Sequence, residues 1–318
     1  MTSEFALIQA LRTIATSSGA RGLHDDAAVL EIGGETLVLT LDTIVESVHF
    51  LPGDPPQDVA WKMVAVNASD LSAKGAEPVG CLYSHALGDD AWDLAFLEGL
   101  AEACAHFSMP LLGGDTVRMP AGAPRSFSLT ALGRTRCGAV VPSRTGASSG
   151  DRLWVSSTLG DAGLGLSILC GRVAEEPHAS ALVSRYRRPA PDKHLGPALA
   201  PYVTAMMDVS DGLLIDAQRM ADASSAAMVL NPDLVPLSES FRAIAGDGLD
   251  SRLGAMTAGD DYCLLFTAPP GATARVRETA AALGCTITAI GTVREGTGLS
   301  LIYQNEPLPL PEHLGYRH

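Results

Sequence analysis

Leu112-Gly113-Gly114-Asp115-Thr116 follows the short apolar run Met109 to Leu112, and it reads as a strand that empties into a glycine turn and then a carboxylate. Glycine lets the backbone approach a ligand with no Cβ in the way. An Asp just past a strand end is placed to hold a metal over a phosphate. Alone the motif is weak, but the chain repeats it. Asp25-Asp26, Asp42, Asp70, Asp208 with Asp211, and Asp260-Asp261 all lie beside apolar runs or glycine turns.

Periodicity sets the elements around these carboxylates. Phe5, Ile8, Leu11 and Ala15 recur at helical spacing, so residues 4–16 form an expected amphipathic helix that Gly19 and Gly22 break. His24 to Leu30 leads into a strand, and Thr36 to Leu41 is a second, with Asp42 at its end. Pro55-Pro56-Gln57-Asp58 opens a helix to about Ala73 with Val59, Met63 and Val66 as its apolar stripe. Asn67, Asp70 and Lys74 share a face near its end. The macrodipole disfavours an Asp there, so Asp70 meets either a cation or a salt bridge to Lys74. Val79 to Leu87 reads as a strand, residues 90–106 as a helix and Ser126 to Gly133 as a strand. Such alternation is an α/β layer architecture.

Residues 134–150 are rich in Arg, Gly and Ser/Thr, and the domain boundary is expected here, dividing the chain into 1–137 and 138–318. The second half opens with a strand, Arg152 to Ser156. Gly160-Asp161-Ala162-Gly163-Leu164-Gly165 then starts a helix without the spacing of a Rossmann fingerprint. Ala205 to Gly212 reads as a strand end, a turn and the start of a helix to Ala223, and Ala258 to Tyr262 precede the strand Cys263 to Thr267. Residues 271–283 are helical, and Thr286 to Val293 and Leu299 to Gln304 are strands.

The 318 residues carry a net charge of −14, which argues against nucleic acid or an anionic membrane as the main partner. Cys81, Cys104, Cys137, Cys170, Cys263 and Cys285 are scattered without a C-x-x-C pair, so neither a zinc site nor a disulfide framework is suggested. Met1-Thr2-Ser3-Glu4-Phe5 has no basic start before an apolar stretch. No apolar run reaches the roughly 18 residues of a membrane span. The expected location is cytoplasmic.

P-loop, protein-kinase and H-E-x-x-H motifs are all missing from the chain. Hard-oxygen chemistry remains. Mg²⁺ prefers one or two carboxylates plus phosphate oxygens and water, and phosphoryl transfer needs positioning and charge neutralisation more than covalent help. Arg144 is a candidate phosphate contact, or else a solvated linker arginine. In Asp208-Val209-Ser210-Asp211-Gly212, Asp208 would end the strand, while Ser210 and Asp211 would sit at a helix start that favours phosphate or serve as its caps.

In this order the motifs resemble the thiamine-monophosphate kinase family, of the superfamily that includes aminoimidazole ribonucleotide synthetase and selenophosphate synthetase. The resemblance runs through Asp25-Asp26-Ala27-Ala28-Val29, Asp42-Thr43, His49-Phe50, Trp61-Lys62, Ala65 to Leu71, Gly75-Ala76-Glu77-Pro78, Leu112 to Thr116, Asp208 to Leu213, Gly259-Asp260-Asp261-Tyr262, and Gly291 in the strand after it. It implies ATP-dependent phosphorylation of thiamine monophosphate with several Mg²⁺ ions, by direct in-line transfer. It also implies an N-terminal mixed-sheet domain that pairs across a homodimer into a barrel, with a larger C-terminal α/β domain closing the cleft. Carried over, Asp26, Thr40, Asp42, Asp70, Asp115, Asp208 and Asp211 would hold metal, with Asp42 and Asp115 catalytic through it. Gly114, Asp115, Arg144 and Ser210 would contact ATP, and His49, Asp260 and His313 would contact the acceptor.

Three positions depart from the family pattern. His24 stands where Gly is usual, Asp260 where Glu is usual, and His313, with Tyr316 nearby, where an aromatic is usual. The alternatives to this function are another ATP-using superfamily member with a different acceptor, or a non-catalytic nucleotide- or metal-binding protein.

Overall fold

Residues 35–45 alternate side chains between two faces, as a strand must: Val38, Thr40 and Ile44 are buried while Leu41 between them is exposed. In the computed structural model, which describes residues 4–136, 138–174 and 177–317, this segment is the long second strand of a five-stranded mixed sheet. Met1 to Ser3 and Cys137 lie outside the described residues, as does the Phe5 side chain.

The first half runs α1 (Glu4–Arg12), β1 (Ala28–Ile32), β2 (Glu35–Val45), α2 (Pro56–Ala73), β3 (Glu77–Leu87), α3 (Asp90–Phe107), β4 (Leu111–Arg118) and β5 (Ser126–Arg134). The sheet order is β1-β2-β5-β3-β4. Only β3 and β4 are parallel, and α3 makes the crossover between them. Asp89 caps α3 by accepting from the N–H groups of Ala91 and Trp92, and Ser108 in the left-handed region ends it. Phe96, Leu100, Ala103 and Phe107 of α3 pack with Met63, Val64 and Ala68 of α2 in the core on one face of the sheet.

The second half contains β6 (Arg152–Ser156), α4 (Asp161–Leu169), α5 (Ala179–Arg187), α6 (Leu195–Leu199), β7 (Ala205–Val209), α7 (Leu213–Ser224), β8 (Ala227–Leu230), α8 (Glu239–Ala245), α9 (Leu249–Thr257), β9 (Cys263–Ala268), α10 (Thr273–Ala282), β10 (Ile287–Arg294), β11 (Gly298–Tyr303) and β12 (Glu306–Leu308). Its seven-stranded mixed sheet has the order β12-β11-β8-β10-β6-β9-β7. One face is packed by Met207, Leu213, Met220 and Met256 with their neighbours. On the other, Trp154 stacks on Phe266 in a cluster that also takes in Ala73 of α2, so α2 is shared between the domains. The architecture is thus two-domain α/β, with neither sheet closed into a barrel within the chain.

Three local expectations change. The glycines of Leu112 to Thr116 make no turn, because β4 runs straight through them, paired with β3 from Cys81↔Leu111 to Leu87↔Arg118. Gly114 is required by close approach: a Cβ there would lie 1.9 Å from the Tyr83 carbonyl oxygen. Asp42 lies inside β2, which pairs with β5 as far as Val45↔Ser126. Helix α1 ends at Arg12, short of residue 16.

The sheet face opposite α2 and α3 is uncovered. Leu41, Thr130 and Leu82 stand in one register row across β2, β5 and β3. Leu41 and Leu82 there are 62% and 44% exposed, and Leu112 on β4 is 57% exposed.

Candidate functional site

Thr40 and Asp42 are two apart on β2, so both face the helix layer. Buried helix α2 passes there with Ser69, Asp70 and Lys74, the loop before β1 brings Asp25 and Asp26, and β7 ends with Asp208. Carboxylate oxygens of Asp26, Asp70 and Asp208 come within 4.8 Å of one another. The Thr40 hydroxyl donates to Asp70 Oδ2 and lies 3.3 Å from the Asp26 carbonyl oxygen. Ser69 donates to Asp208 Oδ2 at 2.7 Å, across the domain boundary, and Asp42 shares a hydrogen bond with Asp70. Five of the residues singled out from the sequence therefore meet: Asp26, Thr40, Asp42, Asp70 and Asp208.

The site has an excess of negative charge. Burial and the neighbouring Asp26 push Asp42 up to about 6. Burial, with Asp26 again next, pushes Asp208 up to about 8. Burial, Asp42 and Asp208 hold Asp70 well above the usual carboxylate range. Asp26 goes the other way: burial opposes its charge, but Arg144 and Lys74 beside it hold it down at about 2. The Lys74 ammonium is fully buried and lies 2.7 Å from Asp26 Oδ2, with Asp25 as its second partner. Lys74 thus pairs with the carboxylates of the β1 loop and leaves Asp70 to Thr40. Because a buried charge stripped of its partner is penalised heavily, Lys74→Met is expected to destabilise the protein by about 3–5 kcal/mol, read as a lower urea midpoint.

Arg144 is bound to Asp26, and its buried Nε has no hydrogen-bond partner. Ser210 and Asp211 follow β7, and α7 starts at Leu213 after Gly212, whose φ of 126° suits glycine. Both their N–H groups donate to Asp216 Oδ2 at 3.1 Å. The Asp211 carboxylate lies 2.6 Å from Arg219, which also reaches Asp216 at 2.8 Å. A cation of the chain itself therefore already meets Asp211.

On the far side of α2, Asp260 accepts from Lys62 at 2.8 Å, and Lys62 also donates to the His49 carbonyl oxygen at 2.9 Å. Asp260 has a φ of 69°, a conformation Asp tolerates better than most residues. His24, in place of the usual Gly, has a φ of −102° that any residue can adopt. His313 is exposed. The C-terminal tail that carries it is anchored at α7, where the Tyr316 N–H donates to the Asp211 carbonyl oxygen at 2.9 Å.

Asp115 and Gly114 do not join the cluster within this chain. Asp115 is exposed on the edge strand, in a register row with Thr43, Ser128 and Ser84. Thr43 points away from the face that Asp42 uses, so Asp115 lies on the uncovered side with two strands, β5 and β3, between β2 and β4. Sequence reasoning gave no site role to Lys62, Ser69 or Arg219, named Asp25 only as the neighbour of Asp26, and weighed Lys74 as a partner of Asp70 when it pairs with Asp25 and Asp26. The available signals were the adjacency of Asp25 to Asp26 and the charge of Lys62 within helix α2 and of Lys74 at its C-cap, where α2 is mostly buried.

All donors in the cluster are hard oxygens, and Lys74 and Arg144 both pair with Asp26 and leave Asp42, Asp70 and Asp208 without an ion-pair partner among the described residues, which suits a hard divalent cation. The domain models for AIR synthase related proteins match residues 24–135 (N-terminal domain) and 148–304 (C-terminal domain). Fold and matches define the class: a two-domain protein of the AIR synthase related kind, with a carboxylate cluster where the domains meet. Thiamine-monophosphate kinase of Caulobacter vibrioides is 39% identical over 94% of this chain and 85% of its own. That of Salmonella typhimurium is 35% identical over 93% and 91%. The structure of AaThiL complexed with AMPPCP and TMP superposes with a TM-score of 0.85 at 31% identity, covering 99% of this chain and 97% of that one. The chain belongs to the thiamine-monophosphate kinase family.

Proposed function

We propose that the protein transfers the γ-phosphoryl group of ATP to thiamine monophosphate, giving thiamine diphosphate and ADP, with Mg²⁺ ions held by Asp26, Thr40, Asp42, Asp70 and Asp208. The observation that carries this reading is the convergence of Asp26, Asp70 and Asp208 from both domains on one point, in a chain of this family. An AMPPCP and TMP complex of the AaThiL neighbour supports the substrate pair.

A phosphate oxygen of the acceptor attacks Pγ in line, the new O–P bond forms, the bond to the β–γ bridging oxygen breaks, and ADP leaves. The attacking phosphate is already ionised at neutral pH, so no general base is needed. Bound Mg²⁺ would supply the positive charge that neutralises the phosphate oxygens. Arg144 is placed to exchange Asp26 for a phosphate oxygen, with its unpartnered Nε as a further donor. Ser210 lines the same edge. Asp211 would take a further ion in competition with Arg219, which holds its Oδ2. His49, Asp260 and His313 are assigned to the acceptor.

Residues 1–137 serve ATP and Mg²⁺ binding and dimerisation, and residues 138–318 close the cleft. The exposed Leu41, Leu82 and Leu112 support pairing of the uncovered sheet with that of a second copy into a barrel. Gly114 and Asp115 would then reach the partner's nucleotide. No helix among the described residues is long and apolar enough to cross a membrane. Free thiols at Cys81, Cys104, Cys170, Cys263 and Cys285 suit the reducing cytoplasm.

ADP release from ATP and Mg²⁺ is measured with thiamine monophosphate, with thiamine and with no acceptor, and the product is identified by mass. Turnover with thiamine monophosphate alone is expected. ATP binding without turnover on either thiamine species would overturn the assigned acceptor and turn attention to Asp260.

A further inference from the structure

Lys62 is an ammonium in the middle of buried helix α2, with 2% of its side chain exposed. A charge so placed is tolerated only where its hydrogen-bonding capacity is met. Lys62 meets it with three groups from three segments. These are the His49 carbonyl oxygen at 2.9 Å, Asp260 Oδ2 at 2.8 Å and the face of the Tyr186 ring, 4.1 Å from Nζ. His49 belongs to the first domain, and Asp260 and Tyr186 to the second. Asp260 Oδ1 accepts from the Tyr262 hydroxyl at 2.9 Å, so both oxygens of this carboxylate are fixed. Its backbone is fixed too, by the Asp260 N–H donating to the Ser210 carbonyl oxygen at 2.7 Å. Asp260 and Tyr262 both sit at positive φ, 69° and 48°, which surrounding contacts must enforce.

We infer that Lys62 is a positioning residue for the acceptor side of the reaction. It ties the His49 loop and Asp260 to one point on α2, and so sets the distance between the two ends of the acceptor site across the domain boundary. Asp70 and Lys74 lie two and three helical turns further along α2, in the metal cluster. Loss of Lys62 therefore loosens the acceptor site and leaves the nucleotide site in place. This inference rests on the proposed thiamine-monophosphate kinase activity.

The test compares Lys62→Met, Lys62→Arg, Asp260→Asn and the double variant Lys62→Met/Asp260→Asn with the wild type, using the full-length protein with Mg²⁺. The KM for thiamine monophosphate is expected to rise about tenfold or more in Lys62→Met. The KM for ATP and the Mg²⁺ dependence should stay within about twofold. In the double variant the two KM effects should fall short of multiplying, because both changes break one contact. Lys62→Arg keeps the charge and should recover part of the loss; it also carries the test if Lys62→Met fails to fold. Equal rises in both KM values, independent multiplication of the two effects, or an unchanged KM for thiamine monophosphate would overturn the role of Lys62. A wild type that binds ATP yet never phosphorylates thiamine monophosphate would overturn the underlying activity and the inference with it.

Discussion

Asp208→Asn is expected to lower kcat by about 10²–10³ and, in the same protein, to raise the melting temperature of the ion-free form at pH 9. The two effects share one cause. Asp208 is buried among like charges, and its carboxyl is pushed up from 3.8 to about 8. Between those values the folded chain keeps a proton that the unfolded chain has lost. Folding then takes up a proton, so this residue's contribution to stability falls as pH rises from about 4 to about 8 and stays low above it. Asn keeps the shape and carries no charge, which removes the penalty. Asp42, pushed up to about 6, acts in the same sense over a narrower window. Asp26, held at about 2, acts oppositely: its contribution is present above the ordinary carboxylate range and is lost as pH falls towards 2. Saturating Mg²⁺ should stabilise the wild type by binding the folded state alone and should do little for the variant, so the order of melting temperatures reverses. Thermal melts at pH 5 and pH 9, each with chelator and with Mg²⁺, check this beside steady-state kinetics. A variant that melts below the wild type in chelator at pH 9, or that keeps its kcat, would remove Asp208 from the metal site.

The second large effect concerns Asp115. Asp115→Ala and Asp42→Ala are each expected to abolish nearly all turnover while the protein stays folded, since Asp115 is exposed on the edge strand and burial beside Asp26 makes the charged form of Asp42 unfavourable in the ion-free fold. Yet the two residues lie on opposite faces of one sheet, so one chain cannot bring them to one phosphate. If the uncovered face pairs with a second copy, each site takes Asp42 from one chain and Asp115 from the other. Mixing the two inactive variants under conditions of subunit exchange should then restore activity. Random assortment makes half the dimers mixed, each with one intact site of two, so about a quarter of wild-type activity is expected. Light scattering should give a mass near twice 33.0 kDa. Failure of the mixture to recover activity, with exchange verified, would place Asp115 outside the partner's site. A wild-type rate in Asp115→Ala would remove it from catalysis altogether.

Local pattern determined much of this molecule. The stripe of Val59, Met63 and Val66 and the Pro at its start define α2 to the residue at which it ends, and β6, β7 and β9 follow from short apolar runs bounded by turn residues. Helical spacing, strand alternation and caps act over a few residues, so they can be read without knowing the fold. The ordered carboxylate motifs pointed to metal-assisted phosphoryl transfer for the same reason. Where chains meet at long range, sequence was a poorer guide. The ladder with β3 carries β4 through Gly113 and Gly114, where local chemistry asks for a turn. Lys74, four residues after Asp70, turns to Asp25 and Asp26 because the β1 loop packs against it. Lys62 and Asp260, 198 residues apart, meet only because α2 lies between the two sheets. Which aspartates converge on one point and which lie on the uncovered face depends on the face each strand buries. That is decided by the packing of helix layers on sheets, a property of the whole chain that no short stretch encodes.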